Sequence, residues 1–146
     1  MEMVIEECSP FSPFRSFHKQ FCVVAKQKKI EFTIECTFEE GNESWPTQYC
    51  IRIDPIRLGQ VARNLLTNAL KFTPEQGSIR MVVSKVTKNV AGLPPQLFLR
   101  LEVIDSGAGI SKENQKKLFG QYVQFNANAL QKGGGSGLGL WICKGP

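Results

Sequence analysis

An α+β domain built on a mixed sheet is the fold class that this 146-residue sequence predicts. Three patterns carry the expectation. Apolar residues recur at helical steps in two segments, 12–29 and 55–73, and strict alternation marks a strand over 30–38. Two longer strands, 78–87 and 97–105, flank a loop containing Gly92, Pro94 and Pro95 and read as a hairpin. Helices and strands that alternate unevenly, with a hairpin among them, fit α+β better than a regular wind of parallel strands.

Residues 1–10 read as an N-terminal tail and 11–146 as one domain. Ser12 followed by Pro13 predicts an N-cap with proline at the first helical position. Phe14, Phe17, Phe21 and Ala25 then form an apolar stripe, and Lys26, Lys28 and Lys29 close the helix near the negative end of its dipole. In the following strand Ile30, Phe32, Ile34, Cys36 and Phe38 share one face, while Glu31, Thr33, Glu35 and Thr37 share the other. A polar loop over 39–46 leads to a second strand containing Tyr49, Ile51 and Ile53. Asp54-Pro55 opens the next helix, whose apolar face is Leu58, Val61, Ala62, Leu65, Leu66 and Ala69. That helix stops near Thr73-Pro74, and Gly77 completes a turn into the hairpin. Leu97, Leu99, Leu101 and Val103 share a face with Asp105, and a short helix over 112–119 precedes a polar stretch and a glycine cluster.

Hydrophobic residues at 42% and charged residues at 21% exclude collagenous, low-complexity and wholly disordered chains. No apolar run approaches the ~18 residues of a spanning helix. The opening MEMVIEEC is acidic, without the pattern of a secretory signal. A cytoplasmic location with no membrane insertion by this segment is therefore expected. The net charge of +5 is scattered rather than concentrated on one stripe, so no nucleic-acid partner is expected. Cys8, Cys22, Cys36 and Cys50 are evenly spaced, but their flanks share nothing and His18 is the only histidine. Reduced thiols fit better than a zinc framework.

Three features can carry chemistry. Arg57, Gln60, Asn64, Asn68 and Lys71 fall at three- and four-residue steps on the face opposite the apolar stripe. Asparagine suits a merely solvated helix face poorly, because its amide competes with the backbone, whereas an amide oxygen can ligate Mg²⁺. Asp105 sits at the inward parity of its strand and opens Asp105-Ser106-Gly107-Ala108-Gly109-Ile110. It either closes a turn or accepts a hydrogen bond from a ligand amino group, with Gly107 and Gly109 admitting a flat ligand. Gly133-Gly134-Gly135-Ser136-Gly137-Leu138-Gly139 is either a flexible linker or a phosphate cradle at a helix start. Its spacing fits neither a Walker nor a Rossmann loop.

Taken in order, these segments resemble the ATP-binding domain of sensor histidine kinases. Asn64 to Thr73 (NLLTNALKFT) is similar to their N box, and Asp105-Ser106-Gly107-Ala108-Gly109-Ile110 to their first glycine box. Leu118-Phe119 through Phe125 is similar to the F box, and Gly135-Ser136-Gly137-Leu138-Gly139-Leu140 to the second glycine box. The resemblance implies a Bergerat fold, a two-layer α/β sandwich with a mixed sheet packed against helices. It implies ATP and Mg²⁺ as ligands and Asn64, Asn68 and Lys71 as the catalytic set. Asn68 would hold the metal, Asn64 would support it, and Lys71 would reach the phosphates. Asp105 would recognise the adenine amino group, with Gly107, Gly109 and Ile110 shaping the pocket. Residues 121–136 would form a lid, and Gly135, Gly137, Leu138 and Gly139 would lie against the phosphates.

Hydrolytic members of the superfamily place a glutamate base where Asn64 stands. An amide is no base at neutral pH, so phosphoryl transfer to a histidine is favoured over attack by water. That histidine is expected on a separate dimerisation domain, with a response-regulator receiver domain as the further partner, since His18 lacks the acidic neighbour of an acceptor. A catalytically inactive nucleotide-binding or partner-docking module is the alternative. By the same resemblance a full helix and further strands follow the second glycine box. Only residues 140–146 remain from its last position onward, so the chain is expected to stop short of the domain's last elements.

Overall fold

The structure is a computed structural model and describes residues 4–9, 12–37 and 50–117. In chain order its elements are β1 (Glu6–Cys8), α1 (Arg15–Gln27), β2 (Glu31–Thr37), β3 (Ile51–Ile53), α2 (Pro55–Phe72), β4 (Ser78–Lys88), β5 (Gln96–Asp105) and α3 (Lys112–Gln115). A three-stranded sheet in the order β2-β4-β5 is mixed: β2 runs parallel to β4, and β4 antiparallel to β5. The expected hairpin is therefore present. β1 and β3 form a separate antiparallel pair. Sequence patterning placed no element before Ser12. A three-residue strand is too short for alternation to register, and β1 exists through its pairing with β3.

The central strand β4 buries Ile79, Met81 and Val83 against the helices, as period-two geometry requires. Phe14, Phe17 and Ala25 face them from the α1 region, and Ala62, Leu66, Ala69 and Leu70 from α2. Phe32, Ile34 and Cys36 of β2 and Leu99, Leu101 and Val103 of β5 pack at the margin of this core. Burial pushes the Cys36 thiol up to about 12, so it behaves as a small apolar residue rather than a nucleophile. On the opposite sheet face Glu31, Thr33, Glu35 and Thr37 are exposed, which is the polar face of the predicted alternation. Helices on one side and solvent on the other make the two-layer α/β arrangement.

The first helix departs from its expected boundaries at both ends. Ser12–Phe14 forms a 3₁₀ turn, and the Ser12 hydroxyl donates to the Ser9 carbonyl (3.1 Å) instead of capping. At the other end the helix stops at Gln27. Lys29 N–H donates to Lys26 O (3.0 Å) and Ile30 N–H to Ala25 O (2.9 Å), the paired bonds of a Schellman motif. Lys29 occupies its left-handed position with φ 56°. Lys28 does not serve its own helix: its Nζ donates to Leu70 O (2.9 Å), near the carboxyl end of α2. Lys26 alone of the three lies in the last turn of α1.

Candidate functional site

The second helix carries three of the candidate residues, Asn64, Asn68 and Lys71, and its start is closed by its own cap. Asp54 Oδ1 accepts from Ile56 N–H (3.1 Å) and Arg57 N–H (3.0 Å), satisfying orphan donors of the first turn. Asp54 Oδ2 accepts from Val4 N–H (3.1 Å) and faces Arg57 Nε at 3.5 Å. The backbone bond from Arg57 contributes most to holding this carboxyl below the usual range, assisted by the Val4 bond and the Arg57 charge against the opposing effect of burial. Arg57, read from sequence as part of the polar face, is thus engaged with the cap.

Further along, Asn64 and Asn68 lie one turn apart, both half-buried. Among the described residues nothing hydrogen-bonds the Asn68 amide. Lys71 is also half-buried, its ammonium 5.4 Å above the Phe72 ring. These three polar side chains therefore occupy the C-terminal half of one helix.

The loop after β5 packs against the end of that helix. A Cβ on Gly107 would stand 2.8 Å from the Phe72 carbonyl oxygen and 2.6 Å from Asp105 Oδ1, so only glycine allows this approach. Gly109 has open space around it and is required for a different reason, its φ of 75°. The Ile110 side chain is exposed, and its carbonyl accepts from Gln115 Nε2 (2.9 Å).

Asp105 is the one candidate whose surroundings differ from the parity argument. Its strand partner is the buried Ile79, yet its side chain is exposed, at the last position of the strand. No charge is forced into the core. Its Oδ1 accepts from Gly107 N–H (2.8 Å), so the turn role is real, and the carboxylate remains open to solvent.

Gly107 brings Asp105, Gly109 and Ile110 to the carboxyl end of α2, the helix whose C-terminal half carries Asn64, Asn68 and Lys71. Gly135, Gly137, Leu138 and Gly139, the F-box segment 118–125 and the lid 121–136 lie outside the described residues. Sequence reasoning did not single out Ser106 beyond the turn, nor Thr73 beyond the helix stop. Ser106 Oγ accepts from Ser78 N–H (2.9 Å), and Thr73 is buried with a hydroxyl that has no partner among the described residues. Only contacts distant in sequence reveal either. His18, set aside as an acceptor, stacks on Phe32 with ring centroids 6.4 Å apart. Among the described residues no helix is long and apolar enough to cross a membrane.

Similarity to known proteins agrees with this geometry. Residues 53–145 match the family described as histidine kinase-, DNA gyrase B- and HSP90-like ATPases. Sensor protein EvgS of Escherichia coli (strain K12) is 39% identical over 126 residues, covering 85% of this chain but only 9% of EvgS. The catalytic domain of histidine kinase ThkA superposes with a TM-score of 0.71 at 25% identity, covering 97% of this chain and 78% of that one. Full-length ShkA, solved in complex with AMPPNP, superposes with a TM-score of 0.69 at 25% identity over 97% of this chain and 25% of ShkA. The chain belongs to the histidine kinase-, DNA gyrase B- and HSP90-like ATPases, within them to the catalytic domains of sensor histidine kinases.

Proposed function

We propose that residues 11–146 form the ATP-binding catalytic unit of a sensor histidine kinase, hybrid or not. The unit would hold ATP while a histidine on a separate dimerisation domain takes the γ-phosphoryl group, in relay to a receiver domain. One observation carries the reading. The close approach of Gly107 to Phe72 sets the open carboxylate of Asp105 beside the end of the helix whose C-terminal half bears Asn64, Asn68 and Lys71.

The chemistry of each group suits its role. Asp105 accepts a hydrogen bond from the adenine 6-amino group, which guanine replaces with an acceptor. Asn64 and Asn68 offer amide oxygens, hard donors of the kind Mg²⁺ takes, and Asn68 has no competing partner among the described residues. Mg²⁺ when bound supplies neutralisation of phosphate charge. Lys71 adds a cation for the phosphates, and Gly135, Gly137, Leu138 and Gly139 add backbone N–H groups from the second glycine box. The neutral imidazole nitrogen forms the new N–P bond as the bond to ADP breaks, and its ring proton leaves to solvent. No residue need activate water, consistent with an amide at Asn64. The segment works on the cytoplasmic side, whatever anchors its parent.

Titration calorimetry with Mg-ATP tests the assignment. Asn68→Ala and Asp105→Asn are each expected to weaken binding roughly tenfold to a hundredfold, the range of a hydrogen bond to a charged group. Equal affinity in the wild type and both variants would sink the reading. ATP binding without acid-labile phosphohistidine on a dimerisation domain supplied in trans would leave a nucleotide-binding module only.

A further inference from the structure

We infer that Ser106 and Gly77 are positioning residues that set discrimination between adenine and guanine, acting through Asp105; this rests on the nucleotide reading above. Among the described residues Asp105 is held only lightly by its own side chain, through one bond to Gly107 N–H. The direction of its carboxylate therefore depends on where the next two residues are fixed.

Ser106 is fixed from two sides by the first residue of β4. Its N–H donates to Ser78 O (3.0 Å), and its Oγ accepts from Ser78 N–H (2.9 Å). The backbone bond is available to any residue, whereas the hydroxyl bond is not. Gly77, immediately before, supplies the space. A Cβ there would lie 2.7 Å from Ser106 Oγ, 2.5 Å from Thr73 Cγ2 and 2.9 Å from Pro74 O. It has no direction in which to yield, because its carbonyl accepts from Glu31 N–H (3.0 Å) and its N–H donates to Pro74 O (3.1 Å). The turn joining α2 to β4 thus acts as an anvil for the Asp105 loop, tied also to the start of β2.

Selectivity is the property this arrangement controls. A carboxylate rewards adenine and repels the guanine 6-oxo group only inside the narrow hydrogen-bond window of about 2.7–3.2 Å. A loop displaced by about 1 Å would leave that window while phosphate contacts elsewhere persist. A residue that merely stabilised the fold would lower affinity for both nucleotides alike.

The experiment measures Kd for Mg-ATP and Mg-GTP on the full chain by calorimetry, with far-UV circular dichroism to verify folding. Ser106→Ala is expected to lower the preference for ATP about threefold to tenfold, the worth of one hydrogen bond. Gly77→Ala should lower it further, and Ser106→Ala decides the matter where Gly77→Ala does not fold. In an Asp105→Asn background the Ser106→Ala change should leave the ratio unaltered, since the two act through one group. A wild type that prefers ATP while Ser106→Ala keeps the same ratio overturns the positioning role alone. An equal Ser106→Ala effect with and without the Asp105 carboxylate overturns it as well. No nucleotide binding by the wild type overturns both this role and the reading it rests on.

Discussion

The two ends of α2 solve the same backbone problem in opposite ways. At the amino end Asp54 is buried and both of its oxygens are used, by Ile56, Arg57 and Val4. At the carboxyl end Thr73 is equally buried, but among the described residues neither its hydroxyl nor the Asn68 amide one turn earlier has a partner. That end is held by close packing of Gly107 on Phe72 and by the Lys28 ammonium on Leu70 O. A saturated terminus does structural work. A terminus with open polar groups beside an exposed carboxylate has valences left for a ligand, and proteins concentrate such departures from local rules at functional sites.

Disturbing the packed end should have the largest effect. Gly107→Ala puts a Cβ within 3 Å of the Asp105 carboxylate and of the Phe72 carbonyl oxygen, and the latter is backbone that cannot swing aside. We expect a loss of about 1–3 kcal/mol of stability, typical of overpacking, together with loss of ATP binding as the Asp105 turn is driven from the helix end. Chemical denaturation and calorimetry measure the two together. An alanine variant as stable and as tight-binding as the wild type would show that the contact between loop and helix end is not what assembles the site. Gly109→Ala is a useful contrast, because it meets no neighbour and is penalised only by its positive φ.

Legibility followed the same divide. Alternation over Phe32, Ile34 and Cys36, the helical stripe of Ala62, Leu66 and Ala69, and the Asp54-Pro55 cap are properties of neighbouring residues, and each was readable. The candidate residues Asn64, Asn68, Lys71 and Asp105 were readable by type and spacing. What brings them together was not. Contact of Gly107 with Phe72, the Ser106–Ser78 clamp and the β1–β3 pair depend on residues far apart in sequence, which no local pattern encodes. Parity placed Asp105 on the correct face but gave no indication that its side chain stays exposed at the end of the strand. Even Lys28 had its charge read correctly and its partner wrong, since Leu70 O lies on the other helix.

At the saturated end a smaller effect is expected, and it depends on pH. The Asp54 carboxyl is held below the usual range chiefly by the backbone bond from Arg57, so its charged form belongs to the folded state. Its contribution is fully present above the unfolded carboxylate value near ~3.9 and is lost as pH falls through the lower folded value. Asp54→Asn keeps a capping oxygen but no charge. Wild type should therefore melt above the variant from neutral pH down to about 5, and the gap should close below about 4. Melting curves across that range decide the matter. A gap independent of pH would mean that shape, not charge, supplies the stabilisation.

The smallest change tests whether the other end is as open as it looks. Thr73 sits at the C-cap with φ −82° and ψ 127°, an extended conformation that β-branched residues favour. Valine has the same branching, fits the same backbone and removes the buried hydroxyl. An unpaired buried hydroxyl costs roughly 1–3 kcal/mol, part of which a replacement methyl recovers through apolar burial. Thr73→Val should therefore be about 0.5–1 kcal/mol more stable than the wild type, against the usual direction for a substitution in a packed interior. Denaturant titration at constant m-value measures this directly. A destabilised valine variant would mean that the hydroxyl is satisfied in solution, for instance by an ordered water. The carboxyl end of α2 would then be as saturated as the amino end, and the contrast between them would rest on Asn68 and Asp105 alone.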